Sequence, residues 1–247
     1  MNRRFLQAGR TRRVIFAFWL LLWPLLIGLL LCPIRLGALH LALALSLFGL
    51  WAGALFLGYA RKPVRVLCLA LALLVAGLLL PARPADSMTL RRAYTASLQH
   101  YKGTRYLWGG GNRLGIDCSG LVERGLIDAD LSQGLATINP RLLRAGLSLW
   151  WHNRSAKALG EGYRGETRLL LTTPSLNALD DSLLLPGDIA VTASGAHTLA
   201  YLGNHAWIEA DPSLLYGDSV ITVRTPARNA WFRLPMHLMR WRQLEGK

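Results

Sequence analysis

A chain of 247 residues that is 52% apolar carries 28 Lys and Arg against 14 Asp and Glu, but residues 1–81 hold nine of the basic residues and none of the acidic ones. The remainder has nineteen basic residues against fourteen acidic, so the basic excess follows the apolar part, no aromatic-interleaved basic stripe accompanies it, and a nucleic-acid partner is excluded. Cys and His fall in no metal-ligand spacing, so neither a metal nor an organic cofactor is expected.

Three apolar runs open the chain, at 14–31, 36–60 and 64–80, each near the ~17–25 residues with which a helix crosses a hydrocarbon core. Arg3, Arg4, Arg10, Arg12 and Arg13 precede the first run, Arg61, Lys62 and Arg65 separate the second from the third, and only Arg35 lies between the first two. Cytoplasmic loops collect Lys and Arg. Residues 1–81 are therefore expected to be a multi-pass anchor in the bilayer of the inner cell membrane, with the N-terminus cytoplasmic. Three crossings would leave the C-terminal domain extracytoplasmic, or periplasmic. Trp19, Trp23, Trp51 and Tyr59 suit the membrane interface, with packing between helices as the other reading of Trp19 and Trp23. Cys32 and Cys68 read as small apolar residues.

Pro81 and Pro84 end the last run, 82–87 is a short linker, and 88–247 is long enough for one ordinary core. A helix is expected over 88–99. Next comes "YLWGGGNRLGIDCSGLV" (106–122), in which Leu121, Val122, Leu126 and Ile127 are spaced for one buried helix face. Asp117 suits that helix as its cap, which puts Cys118 in the first turn, where free N–H groups and the helix dipole favour a thiolate over a thiol. Cysteines outside the cytoplasm normally pair, yet Cys118 is alone in its domain. It is the candidate nucleophile. Gly109–Gly111 lack the Gly-Lys-Ser/Thr of a phosphate loop and would let the backbone pass close to a substrate. The segment 142–183, with Trp150 and Trp151, reads as a helix and a loop able to form a lid or a partner surface.

A cysteine nucleophile needs a base, and the base a group to orient it. His100, His152 and His237 read as surface or packing residues. In "LLPGDIAVTASGAHTLAYLGNHAWIEADP" (184–212), two strands flank a turn at Gly203–Asn204. With an odd number of residues between paired positions, His197 and Glu209 fall on one face. Glu209 could then fix the His197 tautomer and stabilise its imidazolium. Asp211, with the same parity, and His205 at the turn are rivals for that place.

The order "YLWGGGNRLGIDCSGLV", "LLPGDIAV", "HTLAYLG" resembles the NlpC-like papain-fold cysteine peptidases of bacterial cell walls, over about residues 88–215. The resemblance implies an α+β domain in which the helix bearing the cysteine packs on an antiparallel sheet, here preceded by three transmembrane helices. It implies Cys118, His197 and Glu209 as the catalytic residues. Tyr106, Asp117 and Ser119 would shape a pocket that reads the amine end of a peptidoglycan stem peptide or muropeptide, and the bond cut would join D-glutamate to a diamino acid. The third catalytic position is more often histidine in that family, although the related CHAP-type amidases use glutamate. The 142–183 segment is longer than usual, and a three-helix anchor is no part of the family core. Thiol–imidazole chemistry also serves an amidase, acyltransferase or thioesterase acting on a membrane-proximal substrate, and a non-catalytic wall-binding regulator is the remaining class.

Overall fold

The computed structural model describes residues 3–213 and 217–245, with side chains from residue 10 onward. The side chains of Arg3 and Arg4, counted above in the charge asymmetry, and residues 246–247 of the expected domain lie outside that description. Two compact units result: residues 1–32 with 36–80, and residues 33–35 with 81–247.

The first unit is three helices, α1 (Arg3–Leu31), α2 (Gly37–Gly58) and α3 (Lys62–Gly77). Arg10–Leu31 and Gly37–Gly58 are long and apolar enough to cross a membrane. Among the described residues, the expectation of three such helices is corrected to two. α3 has 16 residues, about 24 Å at 1.5 Å per residue, short of a hydrocarbon core of about 30 Å. Pro63 sits in its first turn, a position that suits a residue without an N–H, and Leu78–Leu80 turn out of the helix after Gly77. Trp19 packs between helices: its indole N–H donates to the Leu50 carbonyl at 2.9 Å, and a Cβ on Gly53 would fall 2.4 Å from its ring.

In the second unit come α4 (Ser87–Gln99), the short strands β1 (Gly111–Asn112) and β2 (Gly115–Ile116), and α5 (Cys118–Ala136). α6 (Pro140–His152), α7 (Ala156–Gly160), β3 (Thr167–Thr173), β4 (Ile189–Thr192) and β5 (Thr198–Gly203) follow, then β6 (Ala206–Asp211), β7 (Ser219–Arg224) and β8 (Met236–Trp241). Asp86 caps α4, accepting the Thr89 N–H at 2.7 Å. A six-stranded antiparallel sheet has the order β3-β8-β4-β5-β6-β7. Strand alternation splits its buried residues into two layers. Ile189, Val191, Ala200, Ile208 and Ala210 pack with Leu121, Val122 and Leu126 of α5. Leu199, Tyr201 and Trp207 pack with Phe232 and Leu238 in the other. The fold is thus an α+β arrangement with the cysteine-bearing helix on an antiparallel sheet.

The 142–183 segment is part of this body. It supplies α6 and α7, whose Leu142, Leu149 and Leu159 are buried, and the edge strand β3, paired with β8. Asp188 of the "PGD" stretch is fully buried. It accepts from the Leu185 N–H at 2.8 Å, from Arg240 Nε at 2.8 Å and from Arg91 at 3.4 Å, tying α4 and β8 to the start of β4.

β5 and β6 are joined by a tight turn with both Asn204 (φ 51°) and His205 (φ 61°) left-handed, the twist a two-residue hairpin favours. Tyr201 pairs with Trp207 but Gly203 with Ala206, so Leu202 bulges out of register. That one extra residue makes the spacing between Tyr201 and Trp207 odd, and with it the parity that brings His197 and Glu209 to one side.

The residues assigned to the anchor by sequence need one amendment. Pro33–Arg35 belong to the second unit. Ile34 forms an antiparallel bridge with Gly110, the Arg35 N–H donates to the Gly109 carbonyl, and the Gly111 N–H donates to the Pro33 carbonyl, both at 2.8 Å.

Candidate active site

Asp117 takes an extended backbone (φ −97°, ψ 177°) and caps α5 by accepting the Gly120 N–H. Cys118 is therefore the first helical residue, placed where backbone donors point out of the helix end. It is 6% exposed and lines a cleft of about 490 Å³ together with Tyr106, Ser119 and His197.

His197 lies just before β5, held by its N–H to Thr192 Oγ1 at 3.0 Å. Its Nε2 is 2.7 Å from Glu209 Oε2, and its ring stacks on Trp231 with centroids 4.2 Å apart and planes 14° from parallel. Burial works against charging this ring, but hydrogen bonds to Cys118 and Glu209 outweigh it and hold its pKa up at about 9. Both contacts favour the protonated ring, which can donate toward the sulfur on one side and the carboxylate on the other. Glu209 is fully buried. Burial moves its carboxyl above the ordinary range, and the contact with His197 opposes that.

Asn229 closes the line from behind. Its Nδ2 donates to Glu209 Oε1 at 2.7 Å and to Asp211 Oδ2 at 2.9 Å, while its Oδ1 accepts the Trp231 N–H at 3.0 Å. One amide thus holds the carboxylate and the short turn that carries the stacking indole. Of the rivals for the third place, Asp211 is turned to Asn229 and to the Ser213 N–H at 2.7 Å. His205 is at the hairpin tip, its Nδ1 2.9 Å from Asp181.

Tyr106 is half-buried in the cleft. Desolvation, then the nearby Cys118 and Asp117, push its phenol up, so it is a neutral O–H donor. Asp117 and Ser119 face Arg35. Its Nη2 donates to Asp117 Oδ1 at 2.8 Å and to Ser119 Oγ at 2.9 Å, its Nε to the Gly110 carbonyl at 3.1 Å and its Nη1 to Glu123. Glu123 also accepts from Arg154 Nη1 at 2.7 Å, and Arg154 pairs with Glu166. Arg35, Asn229 and Trp231 escaped the sequence reading. Asn229 and Trp231 sit in an irregular stretch without periodicity, and Arg35 reads there only as a loop charge between two apolar runs.

Among solved structures similar to this chain is NlpC1 from Trichomonas vaginalis, 18% identical over 66% of this chain and 48% of that one, with a TM-score of 0.41. An NlpC/P60 family protein from Bacillus cereus ATCC 10987 is 18% identical over 67% of this chain and 42% of that one, with a TM-score of 0.40. The NlpC/p60 domain of the peptidoglycan hydrolase SagA is 20% identical over 60% of this chain and 97% of that one, with a TM-score of 0.33. The likeness is to NlpC/P60 proteins. The chain spans about half the length of the first of these structures. No protein-family model matches the chain, and no curated protein does.

Proposed function

We propose that this protein is a membrane-anchored cysteine peptidase that hydrolyses an amide bond in peptidoglycan stem peptides, of the D-glutamyl–diamino acid type. The observation that carries the reading is the buried line Cys118–His197–Glu209, which opens at its sulfur end into the cleft. The Cys118 sulfur attacks the amide carbonyl, and the Cys118 backbone N–H, at the start of α5, helps to hold the oxyanion, a group of a kind worth about 10²–10³ in rate. His197 gives its proton to the leaving amine as the C–N bond breaks. Water then attacks the thioester with His197 as base, releasing the acid and restoring the thiol. Glu209 orients the ring, and Tyr106, Asp117 and Ser119 form the cleft wall. The resemblance carried by "DCSG", "PGD" and the downstream histidine supports the wall-peptide substrate. The acid-free, Arg-flanked apolar helices support an anchor in the bilayer of the inner membrane with the catalytic unit outside the cytoplasm.

The test is digestion of isolated peptidoglycan and soluble muropeptides by the detergent-solubilised chain, followed by mass spectrometry, beside Cys118→Ala. The expected outcome is a new free amine on the diamino acid with the wild type and none with Cys118→Ala, a loss of at least about 10³-fold. Equal digestion by the clean variant would overturn the assignment. Turnover of acylated lipids in place of stems would move the same residues to acyl transfer or thioester hydrolysis.

A further inference from the structure

Asp117 is the one carboxylate among the described residues that line the cleft, whereas Arg35, Arg154 and His197 also line it. Donors already hold both oxygens of that carboxylate, and three of them crowd Oδ1. Its Oδ1 accepts from Arg35, from Ser119 Oγ at 3.0 Å and from the Gly120 N–H, and its Oδ2 accepts the Gly109 N–H at 2.9 Å. Ser119 is occupied on both sides, donating to Asp117 and accepting from Arg35. Arg35 is itself seated in a made space. A Cβ on Gly111 would fall 2.2 Å from its Cδ, and one on Gly120 would fall 2.2 Å from the Gly110 carbonyl oxygen and 3.1 Å from the Arg35 Nε. Gly111, one of the three glycines that read as room for a substrate, is room for this arginine.

A substrate ammonium entering beside Asp117 would lose its water, find both carboxylate oxygens already accepting from other donors, and meet the Arg35 guanidinium. Like charges brought together in a desolvated site repel, and the two carboxylates that pair with Arg35, Asp117 and Glu123, offset this only in part. We infer that Arg35 is a specificity-determining residue of the cleft, and that it selects amide substrates whose amino end is acylated over those with a free ammonium. This rests on the amide-hydrolase reading and deepens it: the favoured stem is one still joined through an amide at its amino end. A neutral acyl group carries no charge to oppose the guanidinium, and its carbonyl can accept from the cleft's donors, among them the Tyr106 O–H.

The experiment uses the full chain in detergent and one pair of stem peptides, identical except that one has a free amino terminus and the other is N-acetylated. Binding is read as protection of Cys118 from alkylation, followed on the Cys118-containing fragment by mass spectrometry, and hydrolysis is read separately on the same peptides. The expected result is that the acetylated peptide protects at least about tenfold better, and that Arg35→Ala brings the ratio near one. Should Arg35→Ala not fold, Arg35→Met with Glu123→Gln removes the cation together with a carboxylate it faces. Equal protection by both peptides in the wild type, better protection by the free amine, or an acetyl preference that survives loss of Arg35 would each overturn the inference. Selective protection without hydrolysis would uphold it and fault the hydrolase reading instead.

Discussion

His197 is held on three sides, by a thiol, a carboxylate and an indole face. Its pKa near 9 lies above the ordinary 6.5 of histidine. The proton's contribution to stability is therefore complete below about pH 6.5 and is lost as pH rises through about 9. On the proposed mechanism, catalysis through the imidazolium follows the same limb, so kcat/KM should fall near pH 9. Glu209→Gln withdraws the negative charge that favours the protonated ring, and the limb should move about one pH unit downward. A pH–rate profile of the two proteins checks this, and a limb that stays in place would mean that Glu209 does not set the charge of His197. Cys118, His197 and Glu209 were legible in the chain because each belongs to a local pattern, a helix start or a period-two strand. Asn229 was not, because its role depends on a fold that returns residue 229 to two carboxylates of β6, and no nearby spacing encodes that return.

At the scale of elements, the β5–β6 hairpin decides whether the site exists. The strands and their alternation were readable from the sequence, and so was the requirement for odd parity. What supplies it was not: a turn of two residues would by itself give even spacing, and the Leu202 bulge restores the odd count. The turn places a histidine where its left-handed backbone is unfavourable for a residue with a Cβ. His205→Gly should therefore stabilise the fold by about 0.5–1 kcal/mol, reduced somewhat by the freedom gained in the unfolded chain. It should leave kcat/KM unchanged, since the side chain points to Asp181 and away from the cleft. Thermal unfolding and a steady-state assay of one preparation measure both, and a lower melting temperature would show that the contact with Asp181 outweighs the relief at φ 61°.

At the scale of the molecule, the unit that carries the cleft is discontinuous in sequence, since Pro33–Arg35 join residues 81–247 across the intervening helices. An arginine alone between two apolar runs carries no mark of that; its partners Asp117 and Glu123 lie more than eighty positions on. The membership of the turn has a topological consequence that no hydropathy count supplies. For an anchor of the kind proposed, a compact body lies on one side of a bilayer, so the chain between Arg35 and Pro81 crosses either twice or not at all. α2 is long enough to cross, whereas α3 is about 6 Å shorter than a hydrocarbon core. A membrane-impermeant maleimide on intact cells separates the two cases, with Leu114→Cys and Arg61→Cys each made in a background without Cys32, Cys68 and Cys118. Labelling of Leu114→Cys alone until the membrane is opened would mean two crossings. Labelling of both from the same side would mean that neither α2 nor α3 crosses, and that these helices lie along the surface instead of through it.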